Sequence, residues 1–217
     1  MTARPVHPTV GGVALDGDLA VPAGAVGLVV FAHGSGSSRH SLRNRAVAAR
    51  LYVAGLAALL LDLLTPEEEE VDLRTRELRF DIDLLAERLA GTLDWCRQQP
   101  ELAQLPMGLF GASTGGGAAL LTAARHPDLV AAVVSRGGRP DLAGTALPVV
   151  RAPVLLIVGG ADPAVLDLNR SAAAQLHGLN ELLVVPGATH LFEEAGALEQ
   201  VADASAAFLR CHLESQP

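Results

Sequence analysis

Ser113 sits between Gly111 and Gly115 in the run Gly108-Leu109-Phe110-Gly111-Ala112-Ser113-Thr114-Gly115-Gly116-Gly117. The apolar residues Leu105 to Phe110 before it read as a short buried strand. The small residues Gly116 to Arg125 after it read as a helix. Strand, glycine-flanked serine, helix is the layout of a nucleophile elbow, a tight turn that lifts a hydroxyl clear of a sheet. The glycines belong there because a Cβ on either side would collide with strand or helix as the chain doubles back. A serine hydroxyl is a weak nucleophile near neutral pH. It needs an imidazole to take its proton and a carboxylate to orient that imidazole.

Chain order supplies both. Asp162 follows the apolar run ending Val158-Gly159-Gly160-Ala161, and His190 follows Pro186-Gly187-Ala188-Thr189. Each stands just past a strand, where an open α/β sheet presents its functional groups. Asp162-Pro163 is also a good helix start, N-cap then proline, and one carboxylate can fill both roles. Asp167 is the substitute acid, though it falls inside a helical stretch. Ser113 has a bland reading too, as a helix N-cap. Hydrolysis further needs donors aimed at the oxyanion. The N–H of Thr114, directly after the nucleophile, is the first. The second comes from the loop His33-Gly34-Ser35-Gly36-Ser37-Ser38-Arg39-His40, with Ser35 N–H ahead of Gly36. His33 and His40 read as structural. Arg136, at a strand end beside glycines, is the one substrate hint: it could meet an anionic group, or be structural.

The elements that must position these groups alternate along the chain. Val13–Val21 reads as an N-terminal strand in an antiparallel hairpin at a sheet edge. Val26–Ala32 and Ala57–Leu63 are continuous apolar runs, as expected of strands buried on both faces. Val130–Val134, Val154–Val158 and Leu182–Val185 complete the set. Helices are expected over Leu42–Gly55, with Leu42, Ala46, Ala49 and Val53 on one face, and near 164–177 and 195–213. Thr65-Pro66-Glu67-Glu68 is a capping box with proline at the first turn; its run of four glutamates reads as a solvated helix start rather than a metal site. Leu78, Ile82, Leu85, Leu89, Leu93 and Cys96 share one helical face, which makes Cys96 a core residue. The expected fold is α/β, a three-layer αβα arrangement around a mostly parallel twisted sheet. About fifteen residues between the strands ending near Ser135 and starting near Ala152 leave little room for a lid.

Composition removes several functions. All 16 basic side chains are arginines, so a P-loop lysine, a Schiff base and a Ser–Lys dyad are excluded. A net charge of −8 argues against nucleic acid or an anionic membrane. The longest apolar run, Leu56–Leu64, is broken by Asp62 and falls short of the ~20 residues of a spanning helix. With two cysteines, no disulfide framework and no signal-like segment, a cytoplasmic single domain over residues 1–217 is expected. No metal or organic cofactor is expected. With 3% aromatic residues the pocket walls are expected to be aliphatic and small, and the apolar content leaves room for a homodimer interface.

At these residues the chain resembles the α/β-hydrolase superfamily and, within it, the small dienelactone hydrolase-like serine hydrolases. The likeness runs from about Gly11 to Leu213. It rests on Phe31 to His40, the Gly-Ala-Ser-Thr-Gly elbow, Gly159 to Asp162 and Gly187 to His190, with Ser135 to Asp141 as a subgroup feature. It implies a Ser113–His190–Asp162 triad acting on a small-molecule ester. Dienelactone hydrolases proper carry cysteine where this chain has Ser113, so the resemblance implies the fold and acyl chemistry rather than the lactone substrate. Some relatives are fused to a phosphoribosyltransferase-like domain, which these residues do not include. A lactone or thioester hydrolase or an acyltransferase would use the same triad. A non-catalytic ligand-binding protein of this fold is the reading from another class.

Overall fold

The computed structural model describes residues 2–214. Ten strands run in chain order as Arg4–Val6 (β1), Thr9–Val10 (β2), Val13–Ala14 (β3), Gly17–Ala20 (β4), Leu28–Ala32 (β5), Ala57–Leu61 (β6), Met107–Ala112 (β7), Ala132–Arg136 (β8), Val154–Gly159 (β9) and Asn180–Val185 (β10). The helices are Leu42–Val53 (α1), Pro66–Thr75 (α2), Ile82–Arg97 (α3), Thr114–Arg125 (α4), Pro163–Gln175 (α5) and Ala197–Glu214 (α6). Eight strands form one sheet in the order β1-β4-β6-β5-β7-β8-β9-β10. The six from β6 to β10 along that order are parallel, and β4 pairs antiparallel with both β1 and β6.

Side-chain alternation explains why the parallel strands read as unbroken apolar runs. On β5, Leu28, Val30 and Ala32 enter one core with α3 and α4, while Val29 and Phe31 enter a second core with α1 and α6. Each residue of such a strand is buried on one face or the other, so polar residues are confined to strand ends, such as Ser135 and Arg136 on β8. This is the expected three-layer arrangement. Between β8 and β9 the chain makes a 3-10 helical stretch, Pro140–Val149, packed on α4, and no cap domain. Among the described residues no helix is long and apolar enough to cross a membrane.

Three local expectations are corrected. The single strand over Val13–Val21 is two strands. β3 turns back on β2 through Gly11 and Gly12, whose φ values of +58° and +85° suit a two-residue hairpin turn, and β4 restarts at Gly17. Leu78 belongs to a separate 3-10 turn rather than to α3, because Asp81 accepts the Leu84 N–H at 3.0 Å and starts the helix there. On α1 the buried side is Asn44, Val47, Ala48 and Leu51, while Leu42 and Val53 face solvent. The helix carries two stripes at helical spacing, and the one with Val47 and Leu51 is turned to the core. The Thr65 capping box forms as read: Thr65 Oγ1 accepts from Glu68 N–H, and Glu68 accepts from Thr65 N–H. Glu68 also pairs with Arg88 at 2.6 Å.

Candidate active site

The elbow is built by backbone contact. A Cβ on Gly111 would lie 2.4 Å from the Gly115 carbonyl oxygen, and one on Gly115 would lie 2.3 Å from that of Ala32. Only glycine lets β7, α4 and the end of β5 meet this closely. Ser113 itself sits at φ +52°, ψ −120°, a conformation that costs a side-chain-bearing residue about 1–3 kcal/mol and must be held from outside. It is held through its main chain: Ser113 N–H donates to Arg136 O at 3.1 Å, and Ser113 O accepts from Gly116 and Arg139 N–H. Ser113 stands at the N-cap position of α4, yet its hydroxyl makes no capping bond. The bland reading as a helix cap therefore fails, and the hydroxyl is left for other work.

Asp162 and His190 are brought together across 28 residues of sequence. The adjacent parallel strands β9 and β10 end side by side, and His190 Nδ1–H donates to Asp162 Oδ2 at 2.8 Å. The other carboxylate oxygen of Asp162 accepts from Val165 N–H at 3.4 Å, capping α5. Asp162 fills both roles. Asp167, the substitute, lies on the exposed side of α5 and pairs with Arg170 rather than with His190. Phe192, two residues beyond His190, is fully buried and in the left-handed region at φ +56°.

Ser113 and His190 border a common cavity of about 210 Å³. Its polar walls are Ser35, Ser37, Ser41, Arg43, Asn44 and Arg136, with Gly34, Ala112 and Leu191 completing the lining. The expectation of aliphatic walls is corrected: the loop after β5 and the first turn of α1, rather than the aromatic-poor core, supply the lining. Arg136 is where its position at the end of β8 implied, in the cleft, and only 7% exposed. Its guanidinium lies 5.7 Å from the Phe192 ring centre, within cation–π range. Burial, with the Arg43 charge beside it, pushes Arg136 down to about 10.

The loop His33 to His40 is pinned from behind. His33 Nε2 accepts from Leu63 N–H at 3.2 Å, which places its proton on Nδ1 for donation to Gly34 O at 2.9 Å. His33 is structural, as read. Arg39 N–H and its guanidinium both bond Asp62 at the end of β6. The Ser35 N–H, expected at the oxyanion, donates here to Thr114 Oγ1 at 2.9 Å. The Thr114 N–H opens α4, and the first N–H groups of a helix have no partner within it.

Sequence reasoning missed Arg43 and Asn44 as cleft residues. A signal existed for Asn44: it stands three, four and seven residues before Val47, Ala48 and Leu51, on the stripe that α1 buries. A polar residue at such a position needs a partner, and Asn44 Oδ1 faces Arg136 Nη2 at 3.5 Å. Arg43 had no comparable mark, since it does not fall on the stripe that α1 buries.

A serine on a strained turn between strand and helix, with acid and histidine at the ends of later parallel strands, defines the α/β-hydrolase class. The chain belongs to the dienelactone hydrolase family, whose model matches residues 15–212. A dienelactone hydrolase of known structure from Anabaena variabilis is 57% identical, covers 98% of each chain and superposes with a TM-score of 0.96. Est1E from Butyrivibrio proteoclasticus shares the fold at 17% identity, with a TM-score of 0.80 over 96% of this chain and 98% of that one. Two proteins described as putative phosphoribosyl transferases, from two strains of Mycobacterium tuberculosis, are 58% identical over 208 residues. The match covers 96% of this chain and 46% of theirs, so this chain spans about half the length of those relatives.

Proposed function

We propose that this protein is a serine hydrolase that cleaves small carboxylic esters through an acyl-enzyme. Ser113 Oγ attacks the ester carbonyl as His190 takes its proton; the tetrahedral oxyanion collapses, the alkoxide leaves, and His190 returns the proton to it. Water, deprotonated by the same imidazole, then attacks the acyl group and restores Ser113. Asp162 fixes the imidazole with its proton on Nδ1, which leaves Nε2 as the base. The Thr114 N–H is the first oxyanion donor. The Ser35 N–H is the second, reached when a charged oxygen outcompetes the Thr114 hydroxyl for it, since an anionic acceptor makes the stronger bond. Arg136 serves the substrate-binding side of the cleft. A small-molecule ester and a cytoplasmic setting go with this reading.

The observation that supports it most is the 2.8 Å His190–Asp162 bond, in the cleft where Ser113 is held in a strained conformation with its hydroxyl uncapped. The phosphoribosyl transferase description belongs to proteins about twice this length. The residue types that line this cleft support acyl transfer instead. The test is hydrolysis of short p-nitrophenyl acyl esters, with intact-mass detection of a fluorophosphonate adduct on Ser113. Activity and labelling should both vanish in Ser113→Ala. Full activity in that variant would sink the assignment, and a wild-type protein that takes no label would favour a ligand-binding role.

A further inference from the structure

The cavity beside Ser113 contains more positive charge than the triad uses. Arg136 is almost wholly buried, and its Nε has no hydrogen-bond acceptor. Its one polar side-chain contact is the long 3.5 Å bond to Asn44. Arg43 lines the same cavity, and its Nε is likewise buried and unpartnered. Arg43 does reach Glu193 at 3.3 Å, but that carboxylate is 66% exposed, and an exposed ion pair of this kind neutralises little. Burying a guanidinium without an acceptor is costly, so such groups call for an explanation. A purely structural arginine would have a carboxylate, as buried Arg88 has in Glu68 and part-buried Arg79 has in Asp72.

The remaining wall points the same way. Ser35, Ser37 and Ser41 line the cavity with the two arginines, so its donors converge from the loop after β5, from α1 and from β8. A single carboxylate would neutralise one of two adjacent guanidiniums and leave the other in excess. A phosphate monoester carries about −1.5 to −2 near neutral pH and three strong acceptor oxygens, enough for both guanidiniums and a hydroxyl. We propose that Arg136, Arg43 and Asn44 form a subsite for a dianionic oxyanion group, best met by a phosphate monoester carried by the substrate. This substrate class rests on the hydrolase reading; the subsite itself does not.

The two can be tested apart. Binding is measured by titration calorimetry on Ser113→Ala protein near neutral pH, with inorganic phosphate and with acetate at matched ionic strength. Phosphate should bind at least about tenfold more tightly than acetate, because it can engage both guanidiniums at once. Arg136→Met and Arg43→Met should each weaken phosphate about tenfold. Removing an unpaired buried charge does not threaten the fold, and Arg43→Met, on the half-exposed residue, guards against that concern. Equal affinities for phosphate and acetate, or phosphate binding unmoved by both substitutions, overturns the subsite. A matched pair of esters, neutral and phosphate-bearing, then locates the group. A phosphate-bearing ester favoured about tenfold in kcat/KM by the wild type and not by Arg136→Met confirms it on the substrate. If phosphate binds but the two esters turn over alike, the site holds a free oxyanion and the substrate assignment falls. Phosphate binding with no fluorophosphonate adduct on Ser113 in the wild type would retire the hydrolase reading and leave the subsite standing.

Discussion

Two arginines withdrawn from solvent to different degrees flank the loop that follows β5, and they are treated oppositely. Behind it, Arg79 and the almost fully buried Asp72 meet at 2.5 Å, and Asp72 also accepts the Arg79 backbone N–H at 3.0 Å. In front, Arg136 is buried where Arg79 is only partly so, and it has no carboxylate at all. The protein therefore does know how to satisfy a guanidinium withdrawn from solvent. Where it does so, the pair fastens α2 to the turn beyond it; where it does not, the group faces the cavity next to Ser113. Scaffold charges are closed into pairs, and cleft charges are kept open for something that arrives later.

Breaking the cleft side should give the largest effect on function. Asp162→Asn should lower kcat on a neutral ester by about 10⁴-fold, because the amide favours the wrong imidazole tautomer. Thermal unfolding should hardly move, since asparagine caps α5 as well as aspartate does. A loss of activity that tracked a loss of folding would erase the distinction between the two sides.

Breaking the scaffold side should cost stability instead. Asp72→Ala leaves the part-buried Arg79 without its carboxylate, and denaturant unfolding should show a loss of about 3 kcal/mol, the low end of what breaking a buried pair costs. Arg136→Met should do the reverse. Replacing an unpaired buried charge by a long apolar side chain should stabilise by about 1–4 kcal/mol, read as a higher denaturation midpoint. If Arg136→Met destabilised as much as Asp72→Ala, the two arginines would be equivalent and the comparison would fail.

The acid limb gives the smallest effect. Burial alone would raise the Asp72 carboxyl, but backbone and side-chain hydrogen bonds from Arg79 overrule it and hold it below the ordinary carboxylate range. Its folded value is depressed, so its contribution is complete above the unfolded value of about 3.9 and fades as pH falls through the lower folded one. Unfolding free energy measured from about pH 5 downward should therefore fall less steeply in Asp72→Asn than in the wild type. Parallel slopes would mean that Asp72 carries no such term.

Much of this was legible in the residues. Continuous apolar runs gave the parallel strands, because burial on both faces keeps polar residues to the strand ends. The elbow and the order of acid and histidine gave the triad candidates, because glycine spacing and strand ends leave few alternatives. What stayed hidden depends on which of two competing patterns packs. Leu42 and Val53 have the right spacing for a core face, and only the sheet's shape selects Val47 and Leu51. The cleft walls were misjudged for a related reason: 3% aromatic content describes the whole chain, whereas the walls come from one serine-rich loop and the first turn of α1. The hydroxyl of Thr114 taking the Ser35 N–H could not be foreseen, since it joins residues 79 apart.

Phe192 carries a consequence for motion. A residue with positive φ is usually glycine, which lets a surface loop flex at little cost. Here a phenylalanine holds that conformation with 1% of its surface exposed, so the loop bearing His190 cannot open without drawing an aromatic ring into water. That step costs roughly 1.5–3 kcal/mol in lost burial. His190 thus rides on a segment that is a loop by shape but is anchored like core, and amide hydrogen exchange around Thr189–Phe192 should be slower than its position at the surface suggests.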